Sequence, residues 1–298
     1  MQFPWLKSNK LKTKVGLFIA QQRIDLCALE AGNQSVAVLD SAPLADINEL
    51  PAIFAQLLSK HEIKACACNV VLSNQFYQLI QIDKPQVPDE ELASSLPFVA
   101  KEYISESIDS VVLDYFSVPN QNKINLVYCA KAVVQQVIAA VKFARLELLN
   151  IGIEELSTAN LFKVDEEVTP KTTQMLISQQ DYQEVMLTII YDNQLYFSRR
   201  LRGFSRLRDL EQDQFESGLL DNFSLEIQRS ADFVVSQLRI PEVKQINLAL
   251  SSSVLEQLIA RVQINFTIPL LRVEHDFLAA DVDMGFLPAV GGALEELQ

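Results

Sequence analysis

The sequence predicts an α/β fold with mixed sheets, built from two strand-rich halves. Three observations carry that expectation. Short runs of Val, Ile and Leu alternate with helical stretches of 3.6-residue periodicity. Each half opens on a β-meander before helices take over. The 298 residues, 49% hydrophobic and 21% charged, suffice for two cores. The residues themselves do not visibly repeat, so duplication shows only in the order of the elements.

In the first half, Lys14 to Leu39 reads as three strands: Val15 to Ile19, Ile24 to Leu29 and Ser35 to Leu39, with Ala31-Gly32-Asn33 as the second turn. Asp46 to His61 is an amphipathic helix with Leu50, Ile53, Phe54, Leu57 and Leu58 on one face, and Ile63 to Leu72 is a buried strand. Pro85 to Glu91 opens a helix whose first turn is acidic; it carries Leu92, Leu96 and Val99 and ends near Ile104. Val111 to Val118 and Lys123 to Ala130 pair around Pro119-Asn120-Gln121-Asn122, and Lys131 to Leu149 is a second helix.

Val164 to Thr173, polar, acidic and interrupted by Pro170, marks the boundary. Residues 1–165 form the first half of the chain and residues 166–298 the second. In the second, Met175 to Ser178, Val185 to Tyr191 and Gln194 to Leu201 are strands, the last two joined by Asp192-Asn193. A long helix, Leu219 to Leu238, precedes strand Gln245 to Leu250, helix Val254 to Val262, strand Phe266 to Leu271 and a short helix within Phe286 to Leu297.

Composition excludes several functions. A net charge of −13 argues against broad nucleic-acid binding, which needs clustered cations. No run of about 18 apolar residues can span a bilayer, and Met1 to Lys14 lacks the apolar core of a secretory signal. Phe3, Trp5 and the lysines there resemble a weak interfacial anchor or a frayed terminus. Four cysteines, Cys27, Cys66, Cys68 and Cys129, suit a reducing compartment as small apolar side chains; cytosol is the expected location. Only 8 glycines occur, where average usage of about 7% gives roughly 20. A phosphate loop needs positive φ and close backbone approach, so few such loops can be built.

No dinucleotide, P-loop, nucleophile-elbow or zincin motif is present, and His61 and His275 are the only histidines. His61 with Cys66 and Cys68 lacks a fourth metal ligand, and no metal site is expected. The carboxylate pairs Glu90-Glu91, Glu166-Glu167 and Asp281/Asp283 fit a helix start, a linker and a loop rather than an acid–base pair. Arg199, Arg200, Arg202, Arg206 and Arg208 are either a docking patch for an acidic partner or lipid headgroups, or cations paired with the protein's own carboxylates.

Four stretches resemble the PilM family of actin-like type IV pilus proteins, and most nearly its MshI branch, from MSHA pilus biogenesis. They are Glu91 to Ile104 with Leu113-Asp114-Tyr115; Asn125 to Leu161, including Ile151-Gly152-Ile153-Glu154-Glu155-Leu156 beside the family's I-D-I-P-E-L; Leu195-Tyr196-Phe197-Ser198-Arg199 beside L-I-F-S-R; and Arg229 to Leu238 beside R-S-L-D-Y-Y-x-S-Q. The resemblance covers nearly the whole chain, in pattern more than in invariant residues. It implies an actin-like, ribonuclease H-like duplicated fold of two lobes, 1–165 and 166–298, with an inserted subdomain at about 75–125 in the first.

Active members of that family hold ATP and Mg²⁺ through two acidic, glycine-bearing phosphate loops and a glycine-rich adenosine loop. Against D-I-G-S-S-S-V-K this chain has Phe18 for the aspartate, Ala20 for the glycine and Asp25 for the lysine. Against D-I-G-A-S it has Ser178-Gln179-Gln180-Asp181-Tyr182, with Asp181 the one acid. Ser251-Ser252-Ser253 replaces the Gly-Gly run, and Gly152 stands where relatives carry an aspartate. A bulky Phe18 and an anionic Asp25 facing a triphosphate oppose binding. The expected protein is a pseudo-ATPase scaffold without cofactor, on the cytoplasmic face of the inner membrane. The resemblance implies that it holds the cytoplasmic segment of a PilN-like inner-membrane protein and links it to assembly ATPases. Phe98, Tyr103 and Tyr115 are candidates for that contact, with core packing as the alternative. The rivals are an ATP-binding actin-like ATPase or polymer, a type II secretion L-type protein, and a binder of some other small molecule in the vacated cleft.

Overall fold

The computed structural model describes residues 13–30, 35–162, 171–181, 183–215, 218–274, 278 and 282–295. Several sequence features lie outside these residues: the turn at Gly32, most of the 164–173 boundary with Glu166 and Glu167, Tyr182, His275, Asp281 and the segment before Thr13.

Strands β1 (Thr13–Ile19), β2 (Arg23–Glu30) and β3 (Val36–Pro43) form the expected meander. With β4 (Ala67–Leu72) and β8 (Glu147–Ile153) they make a five-stranded sheet in the order β3-β2-β1-β4-β8. β2 runs antiparallel to β1 and β3, whereas β4 is parallel to β1 and to β8. Period-two alternation turns Val15, Leu17 and Ile19 of β1, with Ile24, Leu26 and Ala28 of β2, into one core. Helices α1 (Leu50–Lys60) and α3 (Lys131–Phe143) contribute Leu50, Phe54, Leu57, Val137 and Val141 to it.

β9 (Thr173–Ser178), β10 (Val185–Tyr191), β11 (Gln194–Leu201), β12 (Val243–Ala249) and β13 (Leu270–Arg272) form a second sheet, ordered β11-β10-β9-β12-β13. Its polarity matches the first: an antiparallel hairpin pair, then two parallel strands. Asp192 and Asn193 both take positive φ, 54° and 58°, as a two-residue hairpin turn requires. The core behind this sheet joins Met175, Ile177 and Leu187 to Phe223 and Ile227 of α5 (Leu219–Phe233) and Leu258 of α6 (Leu255–Gln263).

A separate three-stranded antiparallel sheet, β5-β7-β6, comprises β5 (Tyr77–Asp83), β6 (Val111–Ser117) and β7 (Lys123–Ala130). Helix α2 (Asp89–Ala100) turns Leu92, Leu96 and Ala100 into its small core with Ile82, Ile124 and Leu126.

The chain divides into two compact units, Met1–Ser157 with Pro288–Gln298, and Thr158–Leu287. The sequence reading assigns 166–298 to one lobe; instead, most of the last helix, α7 (Leu287–Leu294), belongs with the first unit. Glycine is the reason. A Cβ at Gly16 would overlap the Ala289 carbonyl oxygen, one at Gly291 would overlap the Ser157 carbonyl, and one at Gly292 would lie 2.7 Å from Val71. Without side chains at these positions α7 settles on the sheet, where Ser157 Oγ donates to Pro288 O at 2.7 Å and Asn69 Nδ2 to Gly292 O at 2.9 Å.

Other boundaries shift for local reasons. The helix expected over Lys131 to Leu149 stops at Phe143 because Arg145 adopts φ 57°, and Leu146 N–H then bonds Val141 O at 3.1 Å. Residues 147–153 are strand, so the last three residues of the expected helix belong to β8. The long second-half helix is α-helical only to Phe233; Val234–Leu238 widens into a π-turn ended by Arg239 at φ 55°.

Candidate functional site

The first of the three loop positions is the β1–β2 hairpin. Phe18 lies opposite Asp25 across it, on the sheet face away from Leu17 and Ile19, and is fully buried. Ala20 N–H donates to Arg23 O at 2.9 Å, closing the turn, and Gln21 N–H reaches Gln75 Oε1 at 3.2 Å. These amides face protein acceptors. Asp25, the residue at the lysine position of the family loop, is 1% exposed and ion-paired with Arg23. A carboxylate that leaves water needs a partner, and the hairpin supplies one two residues away.

The second position, the β9–β10 turn, is closed by amide chemistry. Gln179 is buried, and its Nε2 lies 2.9 Å from Gln183 O, 3.0 Å from Phe204 O and 2.8 Å from Ser205 O. Its Oε1 accepts from Arg208 N–H at 3.1 Å. Both acids of the turn are engaged: Asp181 is ion-paired with Arg208, and Glu184 accepts from Phe204 N–H at 3.0 Å. The segment after β11 is thus stapled to the turn. Sequence reasoning registers only the lack of a glycine over Ser178 to Tyr182; the readable signal was Gln179, Gln180 and Gln183 directly after a buried strand.

At the third position Ser251 Oγ donates to Asp283 and accepts from Met284 N–H at 2.7 Å, while Asp283 caps the short turn before α7 by accepting from Gly285 N–H at 3.0 Å. Ser252 Oγ faces Val254 N–H at 3.4 Å, and Ser253 is exposed. The serines tie loops and begin α6. Gly152 sits in β8 beside Val71, with Asn150 Nδ2 donating to Glu295 Oε1 at 2.9 Å close by.

Two carboxylates enter the sequence argument only inside the family-like stretch. Glu154 and Glu155 begin α4 (Glu154–Asn160) and are buried; Glu155 accepts from the Tyr77 hydroxyl, and Glu154 faces Asn74 N–H at 3.5 Å. Tyr77 belongs to β5, a strand absent from the sequence reading, so only the tertiary structure brings this group together.

The three aromatic candidates separate. Phe98 is 73% and Tyr103 50% exposed, on α2 and the turn after it, whereas Tyr115 of β6 packs half-buried against the subdomain core. Core packing accounts for Tyr115.

The remaining clusters are in part packed or paired within the fold. All four thiols are buried and free; burial pushes Cys27 and Cys68 up to about 12, and Cys66 and Cys129 to about 11. His61 Nε2 lies 2.7 Å from Asp40, which also accepts from Lys60. Among the described residues no three His, Cys, Asp or Glu side chains gather as a metal site. In the arginine run, Arg199 reaches the Glu226 carboxylate and Ser230 Oγ on α5, and Arg208 pairs with Asp181. The Phe197 and Phe233 rings meet at 4.8 Å beside the Arg199 contact. The family-like strand Leu195 to Arg199 and the start of the family-like helix at Arg229 are therefore two sides of one strand–helix clamp.

No family model and no curated protein matches the sequence. Solved structures do match. A PilM-PilN type IV pilus biogenesis complex aligns with a TM-score of 0.70 at 18% identity, over 94% of this chain and 97% of the other. The fold is actin-like. A Bacteroides thetaiotaomicron protein of unknown function with an actin-like ATPase fold aligns at 0.52 and 10% identity, over 92% and 94%. The cytoplasmic domain of EpsL, an inner-membrane component of the Vibrio cholerae type II secretion system, aligns at 0.50 and 12%, over 86% and 97%. No helix among the described residues is long and apolar enough to cross a membrane.

Proposed function

We propose that this actin-like chain is a non-catalytic scaffold of type IV pilus assembly, of the MshI kind. In this reading it sits at the cytoplasmic face of the inner membrane, holds the cytoplasmic segment of a PilN-like membrane protein and stands between it and the assembly ATPases. The observation that supports the role is the alignment of nearly the whole chain, inserted subdomain included, with the PilM-PilN complex.

The pseudo-ATPase part is supported by the three loops. Each turns its amides and acids onto the protein itself: Ala20 N–H to Arg23, Asp181 to Arg208, Ser251 to Asp283. Binding a triphosphate needs free backbone N–H groups and a carboxylate for Mg²⁺. Phe18 offers neither.

Two measurements test the proposal. Titration with ATP and Mg²⁺ gives no saturable binding and no turnover; micromolar affinity or hydrolysis restores the rival ATPase reading. The N-terminal peptide of a neighbouring single-span pilus protein, immobilised, retains the chain; failure with every such peptide removes the scaffold reading.

A further inference from the structure

The inserted subdomain carries more negative charge than its length warrants. Tyr77 to Ala130 holds eight carboxylates against three lysines, a net −5 of the chain's −13. All eight carboxylates are exposed, and Lys84 at 2.7 Å from Asp89 neutralises one of them. The two exposed aromatics lie among these charges. Helix α2 buries Leu92, Leu96 and Ala100 and leaves Glu91 and Phe98, seven residues apart and so on one stripe, facing out. Glu102, Tyr103 and Glu106 follow directly, all exposed. Lys101 Nζ already lies 5.9 Å from the Phe98 ring centroid, so that ring has a face on which an ammonium group can rest.

A helix face with exposed aromatic surface inside an anionic field fits an occupant that is cationic and partly apolar. It does not fit a lipid surface, because the cytoplasmic leaflet is itself anionic. One class of protein segment has the required chemistry by general rule. Cytoplasmic residues within about 15–20 of a membrane-spanning helix carry an excess of Lys and Arg. We propose that the outer face of α2 and its following turn, centred on Glu91, Phe98, Glu102, Tyr103 and Glu106, docks the basic, membrane-proximal segment of a membrane protein. This rests on the reading above that the partner is a membrane protein with a cytoplasmic segment, and adds where its charged part lies and why it binds. Apolar side chains of the segment cover Phe98 and Tyr103, and its cations neutralise the acids around them. Binding is therefore sensitive to salt, since all these charges are exposed.

The test uses the full chain and a labelled synthetic peptide of about 15 residues containing lysines, arginines and a few leucines, beside a version with every cation replaced by glutamine. Fluorescence anisotropy is read at about 50 mM and about 300 mM salt. The cationic peptide binds at least ~10-fold more tightly than the glutamine version and loses about that factor at high salt. Glu102→Lys with Glu106→Lys, and separately Phe98→Ser, weaken it comparably. Glu256→Lys, an exposed carboxylate on α6, leaves it unchanged. Equal binding of the two peptides, or equal losses in the Glu256 control, overturns the inference. If the pilus peptide is retained but is indifferent to salt and to the Glu102/Glu106 pair, the inference fails and the scaffold reading stands. If neither pilus nor cationic peptide binds, both fail.

Discussion

The two five-stranded sheets share strand order and polarity, yet their first hairpins are closed by opposite means. At β1–β2 the closure is largely apolar: Phe18 is buried under the turn, and the buried Asp25 is ion-paired with a half-buried Arg23. At β9–β10 it is polar: the Gln179 amide bridges carbonyls from Gln183, Phe204 and Ser205. A second contrast, of charge sign, appears where the third strand meets the next helix. On β3 a carboxylate, Asp40, accepts from Lys60 at the end of α1 and contacts His61; on β11 a cation, Arg199, donates to Glu226 and Ser230 of α5. A shared topology fixes where a contact is needed, and either burial or hydrogen bonding can satisfy it. Such freedom lets sequences diverge until little identity remains while the backbone stays recognisable.

The largest effect is expected where closure is apolar. Phe18→Ala leaves a cavity in a close-packed face and costs about 3–5 kcal/mol in urea unfolding; a loss under about 1 kcal/mol means that the aromatic ring does not hold the hairpin. Gln179→Ala comes next. Three carbonyls and the Arg208 N–H lose a partner, for about 2 kcal/mol, and proteolysis at 204–208 speeds up, a local readout that Phe18→Ala does not give. If both variants behave alike, the contrast between the hairpins is wrong.

The smallest effect belongs to Asp40, whose clamp is partly solvated. Asp40→Asn costs about 1 kcal/mol or less near neutral pH. Burial pushes this carboxyl up, but hydrogen bonds from Lys60, His61 and the Ser41 amide outweigh burial and hold it at about 2. Its contribution is fully present above the ordinary carboxylate range near ~4 and fades as pH falls through that folded value. The stability difference between wild type and Asp40→Asn, followed by urea unfolding from neutral to acid pH, shrinks over that window; a constant difference removes the ion-pair account.

Local patterns that need no distant partner were legible. Gln194–Leu201 has the bounds that alternation gives, and Asp192-Asn193 is the turn its residue types demand. Phe18 and Ala20 were readable as departures from a phosphate loop. The charge of Asp25 was read correctly and its surroundings were not, because pairing with Arg23 depends on how the hairpin buries it. β8 escaped for a similar reason. The apolar positions leading to Leu146 continue the periodicity of α3, and only the left-handed turn at Arg145 divides helix from strand.

Glycine separates the two levels most clearly. Its scarcity was evident from the sequence and limits how many phosphate loops the chain can build. Which glycines remain, and why, was decided by packing: Gly16, Gly291 and Gly292 let α7 lie against β1, β4 and α4 and return the chain end to the first unit. The sequence by itself determined most of the order of elements and the residue types at the loop positions, since both follow from neighbours along the chain. Only the tertiary structure decided what fills the loop positions and where the last helix belongs. Those outcomes depend on backbone approach and hydrogen-bond partners far apart in sequence, which no local pattern encodes.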